Sequence, residues 1–326
     1  MTSGVLGEFG RIRQFFAPLA GPGGLGLMDD AALVDCAPGR RLVVTVDAIV
    51  EGVHYLPEDP PDLVAKKLLR VNLSDLAAKG ARPLHYLLAM ALPTSRGDDW
   101  VARFAEGLGD DQRRFGVDLL GGDSVATHGP AVLSLTAIGE VGAGAEIRRA
   151  GARPGDRVWV SGTIGDAYLG LKVLRGGYPA LAPADRAALT ARFQLPEPRS
   201  LLGPRLAGVA HAMCDVSDGL VADLGHICEA SGCAATVAMV AMPLSPAARA
   251  VLAEGSVQLE ALASGGDDYE LLFAAPPAAG AKIARLAAEL ALPITAIGTI
   301  EAGAGVRLVD AAGNAVPLAR AGWRHF

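Results

Sequence analysis

Six aspartates stand where an apolar run of this chain ends or turns: Asp30, Asp47, Asp75, Asp123, Asp215 and Asp218. An ionised carboxylate cannot be left in a core without a partner. The fold must therefore bring these positions to water, to caps and turns, or to cations. Asp30 follows Asp29, and Asp47 lies late in an apolar run. Asp75 sits in Asn72-Leu73-Ser74-Asp75, and Asp123 follows two glycines. Asp215 and Asp218 bracket Val216-Ser217 where a strand turns into a helix, and Asp218 before Gly219 also reads as a helix cap. Each alone serves as a cap or turn former as readily as a ligand. Together, with few His or Cys beside them, they suit hard, oxygen-seeking cations, above all Mg²⁺. Mg²⁺ uses one or two carboxylates plus phosphate oxygens and water, so this many carboxylates imply several ions or one large polyphosphate site.

Glycine is over-represented, with 41 residues in 326, and no collagen-like period explains it. Many glycines flank aspartates, as in Gly121-Gly122-Asp123 and Gly265-Gly266-Asp267. That placement predicts loops where backbone approaches a ligand closely. The net charge is -6, with no run of Lys or Arg, which argues against nucleic acid as a partner. An acidic protein that handles phosphates needs cations to do so. The four cysteines form no Cys-x-x-Cys and fit thiols in a reducing cytosol. No signal pattern opens the chain, and the apolar stretches are too short to span a bilayer. The expected setting is cytoplasmic, without a membrane.

A chain of 326 residues predicts two domains. Residues 41–50 read as a buried strand, followed by a helix from Asp62 to near Gly80 that carries Leu63, Leu68, Leu69 and Leu73 inward. Strands are expected at 84–92, 117–120 and 131–141, with a helix at 98–115 closed by Gly116. Loop signals between 142 and 156 place the boundary, giving domains 1–143 and 144–326. Beyond it, strands are expected at 157–161, 209–214, 269–274, 294–300 and 306–310. Helices are expected at 166–175, between the Pro-rich loops at 179–183 and 196–198, and at 219–230, 245–254 and 278–291. The fold class is α/β (α+β).

Competing motifs fail. There is no Gly-x4-Gly-Lys-Ser/Thr, no His-Glu-x-x-His and no Gly-x-Ser-x-Gly. Gly21-Pro22-Gly23-Gly24-Leu25-Gly26 matches the dinucleotide fingerprint, but no strand precedes it and no helix pattern follows, so it reads as a mobile loop. Ser161-Gly162-Thr163-Ile164-Gly165-Asp166 is either a weak phosphate loop or a tight turn.

These residues together resemble the thiamine-monophosphate kinases, in the superfamily that includes aminoimidazole ribonucleotide synthetase. The resemblance runs from Gly7-Glu8-Phe9 to Gly322-Trp323-Arg324-His325-Phe326. Between them lie Asp29-Asp30-Ala31-Ala32, Asn72-Leu73-Ser74-Asp75-Leu76-Ala77-Ala78, Gly121-Gly122-Asp123 and Arg149 through Asp156. Asp215-Val216-Ser217-Asp218-Gly219-Leu220, Asp223-Leu224-Gly225-His226 and Gly265-Gly266-Asp267-Asp268-Tyr269-Glu270-Leu271 complete the set. The resemblance implies ATP-dependent phosphorylation of thiamine monophosphate to thiamine diphosphate on several Mg²⁺ ions. Asp30, Thr45, Val46, Asp47, Asp75, Asp123, Asp215 and Asp218 would hold the metal, some through backbone oxygen, with Asp75 and Asp218 as the catalytic pair. Gly122, Asp123, Arg149, Ser217 and Phe115 would lie along ATP, and His54, Asp267 and Trp323 would face thiamine monophosphate.

Chemistry agrees with this division, since Trp323 can stack on a thiazolium and Arg149 offers a forked donor to phosphate. A lone His, a terminal Trp or a single Arg equally serves packing or a salt bridge. The resembled fold has two α/β domains of aminoimidazole ribonucleotide synthetase type, the first pairing its sheet across a homodimer. The chain departs from the usual pattern at Met28 (for Gly), Val46 (for Thr or Ser), Phe115 (for Tyr) and Asp267 (for Glu). Within the superfamily, the hydrogenase maturation factor needs a C-terminal Cys, and selenophosphate synthetase a Cys or selenocysteine near the N-terminus. Neither is present. A nucleotide sensor would have lost metal carboxylates, and none is lost.

Overall fold

The computed structural model describes residues 8–28, 31–32, 34–318 and 322. The chain divides into two compact units, one of Met1–Leu76 with Ala81–Gly144, the other of Ala77–Gly80 with Ala145–Phe326.

In the first unit, α1 (Glu8–Arg11) leads through short turns to β1 (Arg40–Val50), α2 (Pro61–Ala78), β2 (Arg82–Pro93), α3 (Asp98–Phe115), β3 (Asp118–Thr127) and β4 (Val132–Gly142). The strands form one sheet in the order β1-β4-β2-β3, with only β2 and β3 parallel. One face is packed by the helices. Leu68, Leu69 and Leu73 of α2 and Phe104 and Leu108 of α3 are buried with Leu133 and Leu135 of β4. Gly116, left-handed at φ 67°, closes α3.

Three expectations are corrected here. Residues 41–50 form a strand, but not a buried one: Val44 and Val46 are each 61% exposed, because β1 is an edge strand with one face open. The strand expected at 117–120 runs on to Thr127, so Gly121-Gly122-Asp123 lies in the sheet and not in a loop. The close approach is by backbone: a Cβ on Gly122 would sit 1.8 Å from the Leu88 carbonyl oxygen. The Gly21–Gly26 stretch is no loose loop either. It forms a kinked 3₁₀ turn, with Gly21 N–H bonded to Leu119 O at 2.9 Å.

The second unit contains β5 (Arg157–Ser161), α4 (Asp166–Leu174), α5 (Pro183–Gln194), β6 (Ala212–Asp215), α6 (Leu220–Ser231), β7 (Ala234–Ala238) and α7 (Pro246–Ala253). It ends with α8 (Leu259–Ala263), β8 (Leu271–Ala275), α9 (Gly280–Glu289), β9 (Ile294–Glu301) and β10 (Gly305–Val309). Its sheet has the order β10-β7-β9-β5-β8-β6. The two-residue side-chain period of β8 feeds both faces: Leu272 and Ala274 join one core, Leu271, Phe273 and Ala275 the other. β7 and α8 were not foreseen. Among the described residues, no helix is long and apolar enough to cross a membrane.

Candidate active site

In the first unit the carboxylates gather at β1 and α2. Thr45 donates its hydroxyl to Asp75 Oδ2 at 2.5 Å. Asp47 N–H donates to Asn72 Oδ1 at 3.0 Å, and Asn72 is held by its own bond to Leu68 O at 2.9 Å. Asn72 and Asp75 are one helical turn apart on α2, so one face of the helix addresses two positions of the strand. Val46, between Thr45 and Asp47, points to the opposite, open face. Only its backbone oxygen could serve as a ligand.

Asp123 is elsewhere. β1 and β3 are the two edges of the sheet, three strand spacings or about 14 Å apart. Pairing also puts the two acids on opposite faces, Asp47 beside Leu135 and Asp123 beside the exposed Ala89. A cavity of about 270 Å³ adjoins Gly122 and Asp123, walled by Ile12, Phe16, Leu27, Leu88 and Leu120. Its lining mixes these apolar side chains with polar groups, Asp123 and Ser124 among them, in roughly equal measure, and can take a flat ring with polar atoms on its edge. Phe115, the last residue of α3, has its ring under the guanidinium groups of Arg114 at 5.0 Å and Arg70 at 5.4 Å. Arg70 is itself locked in a buried pair with Asp111.

His54 Nδ1 accepts Val50 N–H at 3.0 Å, and Lys67 donates to the His54 carbonyl at 2.9 Å. In the neutral ring the proton therefore sits on Nε2. Asp30 lies outside the described residues, as does Trp323.

In the second unit β6 ends at the buried Asp215, and the turn Val216–Gly219 leads into α6. Asp218 does not cap that helix. The N-cap position is Gly219, and Asp223, in the first turn of α6, reaches back so that its Oδ2 accepts N–H bonds from Ser217, Asp218 and Gly219 at 3.0–3.1 Å. Burial, reinforced by the charge of Asp218, pushes the Asp223 carboxyl up to about 7. Oxygens of Asp218 and Asp223 and a ring nitrogen of the exposed His226 lie within 4.8 Å of one another. The donors that these two groups of residues offer are oxygens, His226 apart, and that set fits Mg²⁺.

Asp267 is tied to the same turn by its N–H bond to Ser217 O at 2.8 Å. Arg149 is exposed, and its carbonyl accepts from Ser231 Oγ at 3.2 Å. The Ser161–Asp166 turn takes the tight-packing role: its backbone donors are used internally, Gly162 N–H on Pro293 O at 2.8 Å, Ile164 N–H on Pro243 O at 3.0 Å and Gly165 N–H on Asp268 Oδ2 at 2.6 Å.

Asp223 and His226 were quoted as a motif but given no part. The four-residue step from Gly219 to Asp223 spans one helical turn, which was the available signal for a carboxylate that reaches back from inside the helix to the turn before it.

Comparison with known proteins adds the frame. Residues 28–141 match the AIR synthase related protein N-terminal domain and 153–311 the corresponding C-terminal domain. The chain is 45% identical over 325 residues to a thiamine-monophosphate kinase of Caulobacter vibrioides, covering 98% of this chain and 90% of that one. It is similar to the crystal structure of thiamine-monophosphate kinase from Stenotrophomonas maltophilia K279a, at 42% identity and TM-score 0.81, covering 89% and 91% of the two chains. The AaThiL complex with AMPPCP and TMP superposes with a TM-score of 0.79 at 32% identity, covering 98% and 97%.

Proposed function

The chain belongs to the thiamine-monophosphate kinases of the AIR synthase related family, and we propose that it performs their reaction as an in-line transfer on several Mg²⁺ ions. Its activity is the ATP-dependent phosphorylation of thiamine monophosphate to thiamine diphosphate. The end-to-end likeness to kinases of that substrate carries this reading.

A phosphate oxygen of thiamine monophosphate forms the new bond to the γ-phosphorus, and the bond to the β–γ bridging oxygen breaks to release ADP. The attacking phosphate is already anionic, since its second pKa is about 6, so no general base is needed. When bound, Mg²⁺ offsets the repulsion of the two anions and spreads the transition-state charge. Asp75 has one carboxylate oxygen held by Thr45 before substrate arrives, and Asp47 has its backbone anchored to α2 through Asn72. The Asp218 side chain makes no cap bond to α6, which leaves it available for this task. Gly122 and the neighbouring cavity take the adenine, Arg149 and Ser217 the phosphates, and His54 and Asp267 the acceptor. Asp30 and Trp323 complete the metal and acceptor sets.

A homodimer belongs to the same proposal. One copy keeps Asp47 and Asp123 on opposite edges, and its β1 carries an open apolar face. A second copy would cover that face and bring unlike edges together. The cytoplasm, where ATP is held and the four unpaired cysteines stay reduced, is the proposed setting. The test is incubation with ATP, Mg²⁺ and thiamine monophosphate, with thiamine and aminoimidazole precursors as controls. Thiamine diphosphate formed only from the monophosphate supports the reading. ATP consumed with another acceptor keeps the family and discards this substrate, and ATP bound without turnover favours a sensor.

A further inference from the structure

Two fully buried acids of the second unit, Asp268 and Glu270, take no part in the chemistry above. They alternate with the half-buried Asp267 and Tyr269. The alternation is unusual because both outward residues have left-handed backbone, Asp267 at φ 70° and Tyr269 at φ 51°. L side chains rarely adopt it, and it persists only where the surroundings over-determine it.

Those surroundings are charged. The Glu270 carboxylate takes both Nε (2.6 Å) and Nη2 of Arg199, Arg192 Nη2 at 2.9 Å and Ser161 Oγ at 2.6 Å. Burial would raise this carboxyl, yet Arg199, Arg192 and Ser161 hold it below the ordinary range, so it is an anion. Arg192 also donates to the Asp268 carbonyl at 3.0 Å, and the Asp268 carboxylate receives Gly165 and Ala167 N–H at the start of α4. One guanidinium would suffice as counter-ion for one buried Glu. The second grips backbone between Asp267 and Tyr269. A Cβ on Gly162 would lie 2.0 Å from Glu270 Oε1, so that glycine makes room for the carboxylate.

The front of the segment meets the proposed metal turn. Asp267 N–H bonds Ser217 O and Tyr269 N–H bonds Val216 O, both at 2.8 Å, while Val216 N–H bonds Glu270 O at 2.9 Å. Tyr269 Oη lies 3.5 Å from Asp267 Oδ1.

We propose that Arg199 and Arg192, acting through Glu270, are positioning residues that hold Asp267 toward the phosphate acceptor. This rests on the assignment of Asp267 to thiamine monophosphate. Neither arginine touches substrate; their effect passes through the backbone of 267–270.

The experiment is steady-state kinetics on Arg199→Lys, which keeps the charge and loses the fork, alone and combined with Asp267→Ala. Arg199→Lys is expected to raise KM for thiamine monophosphate about tenfold, with KM for ATP unchanged, as a small misplacement of a binding group does. In the Asp267→Ala background it is expected to add nothing. An unchanged acceptor KM, or an equal rise in both backgrounds, overturns the proposal. Should Arg199→Lys not fold, Ser161→Ala removes one bond to Glu270 and is expected to raise the acceptor KM about threefold, again only with Asp267 present; no rise overturns it. A wild-type protein that turns over ATP without regard to thiamine monophosphate overturns the functional reading itself, a different result from an active wild type with an indifferent variant.

Discussion

Thr45 on β1 and Asp75 on α2, thirty residues apart, meet through a 2.5 Å hydrogen bond from hydroxyl to Oδ2. The bond fixes one carboxylate oxygen and the rotamer with it. Asp75 is only partly buried, so its second oxygen can face a cation. Asp75→Asn is therefore expected to abolish turnover while the melting temperature stays near that of the wild type. Thr45→Ala should raise the Mg²⁺ requirement about 10- to 100-fold, the usual cost of losing an outer partner of a ligand. Rates measured against Mg²⁺ concentration decide this, and near-normal turnover in Asp75→Asn removes Asp75 from the mechanism.

Asp218 and Asp223 are neighbours with opposite expected phenotypes. Asp218 caps nothing, so Asp218→Asn should lose turnover and keep its fold. Asp223 satisfies three N–H groups with one oxygen, and Asp223→Ala leaves them without that acceptor. Its expected cost is about 1–3 kcal/mol of stability. Thermal denaturation beside activity assays separates the two; a destabilised Asp218→Asn would return that residue to a structural role.

Most elements were legible because apolar periodicity and glycine stops mark them, as with α3 and Gly116. β3 was cut short because Gly121-Gly122 looks like loop chemistry. The glycine instead admits the Leu88 carbonyl from a parallel neighbour, a tertiary demand that no local pattern carries. β7 was missed because Ala234–Ala238 has little apolar bulk of its own, and its partners β9 and β10 lie far ahead in sequence. The aspartates announced their chemistry by type and company. Their grouping was not announced: Thr45 finds Asp75 through the packing of α2 on the sheet, and Asp47 parts from Asp123 through strand order and pairing register.

The open face of β1 makes dimerisation testable. Leu42 and Val44 are 38% and 61% exposed on a long edge strand, which natural proteins normally blunt with charge or cover. Wild-type protein is expected to sediment as a dimer. Leu42→Lys with Val44→Lys should sediment as a monomer with unchanged far-ultraviolet dichroism and reduced turnover. A fully active wild-type monomer would end the dimer proposal.

The last expectation concerns pH. Burial pushes the Asp268 carboxyl from 3.8 up to about 8, against the pull of Arg192 and of the Gly165 and Ala167 N–H groups. Unfolded, the group returns to its ordinary value. Between the two values the folded protein holds a proton that the unfolded chain has released. Stability from this group is therefore whole below 3.8 and falls as pH rises to about 8, by at most about 1.4 kcal/mol per pH unit. Asp223, raised to about 7, works in the same direction over a narrower window. Asp268→Asn removes one share. Its amide oxygen can still accept from Gly165, while its NH₂ faces the Ala167 donor, so the variant should be less stable than wild type at pH 5. The gap should narrow toward pH 8, because the variant has no charge to bury. Melting temperatures of both proteins at pH 5, 6, 7 and 8 give the answer. Parallel curves would mean that Asp268 stays ionised across the range, held as an anion by Arg192 and the start of α4.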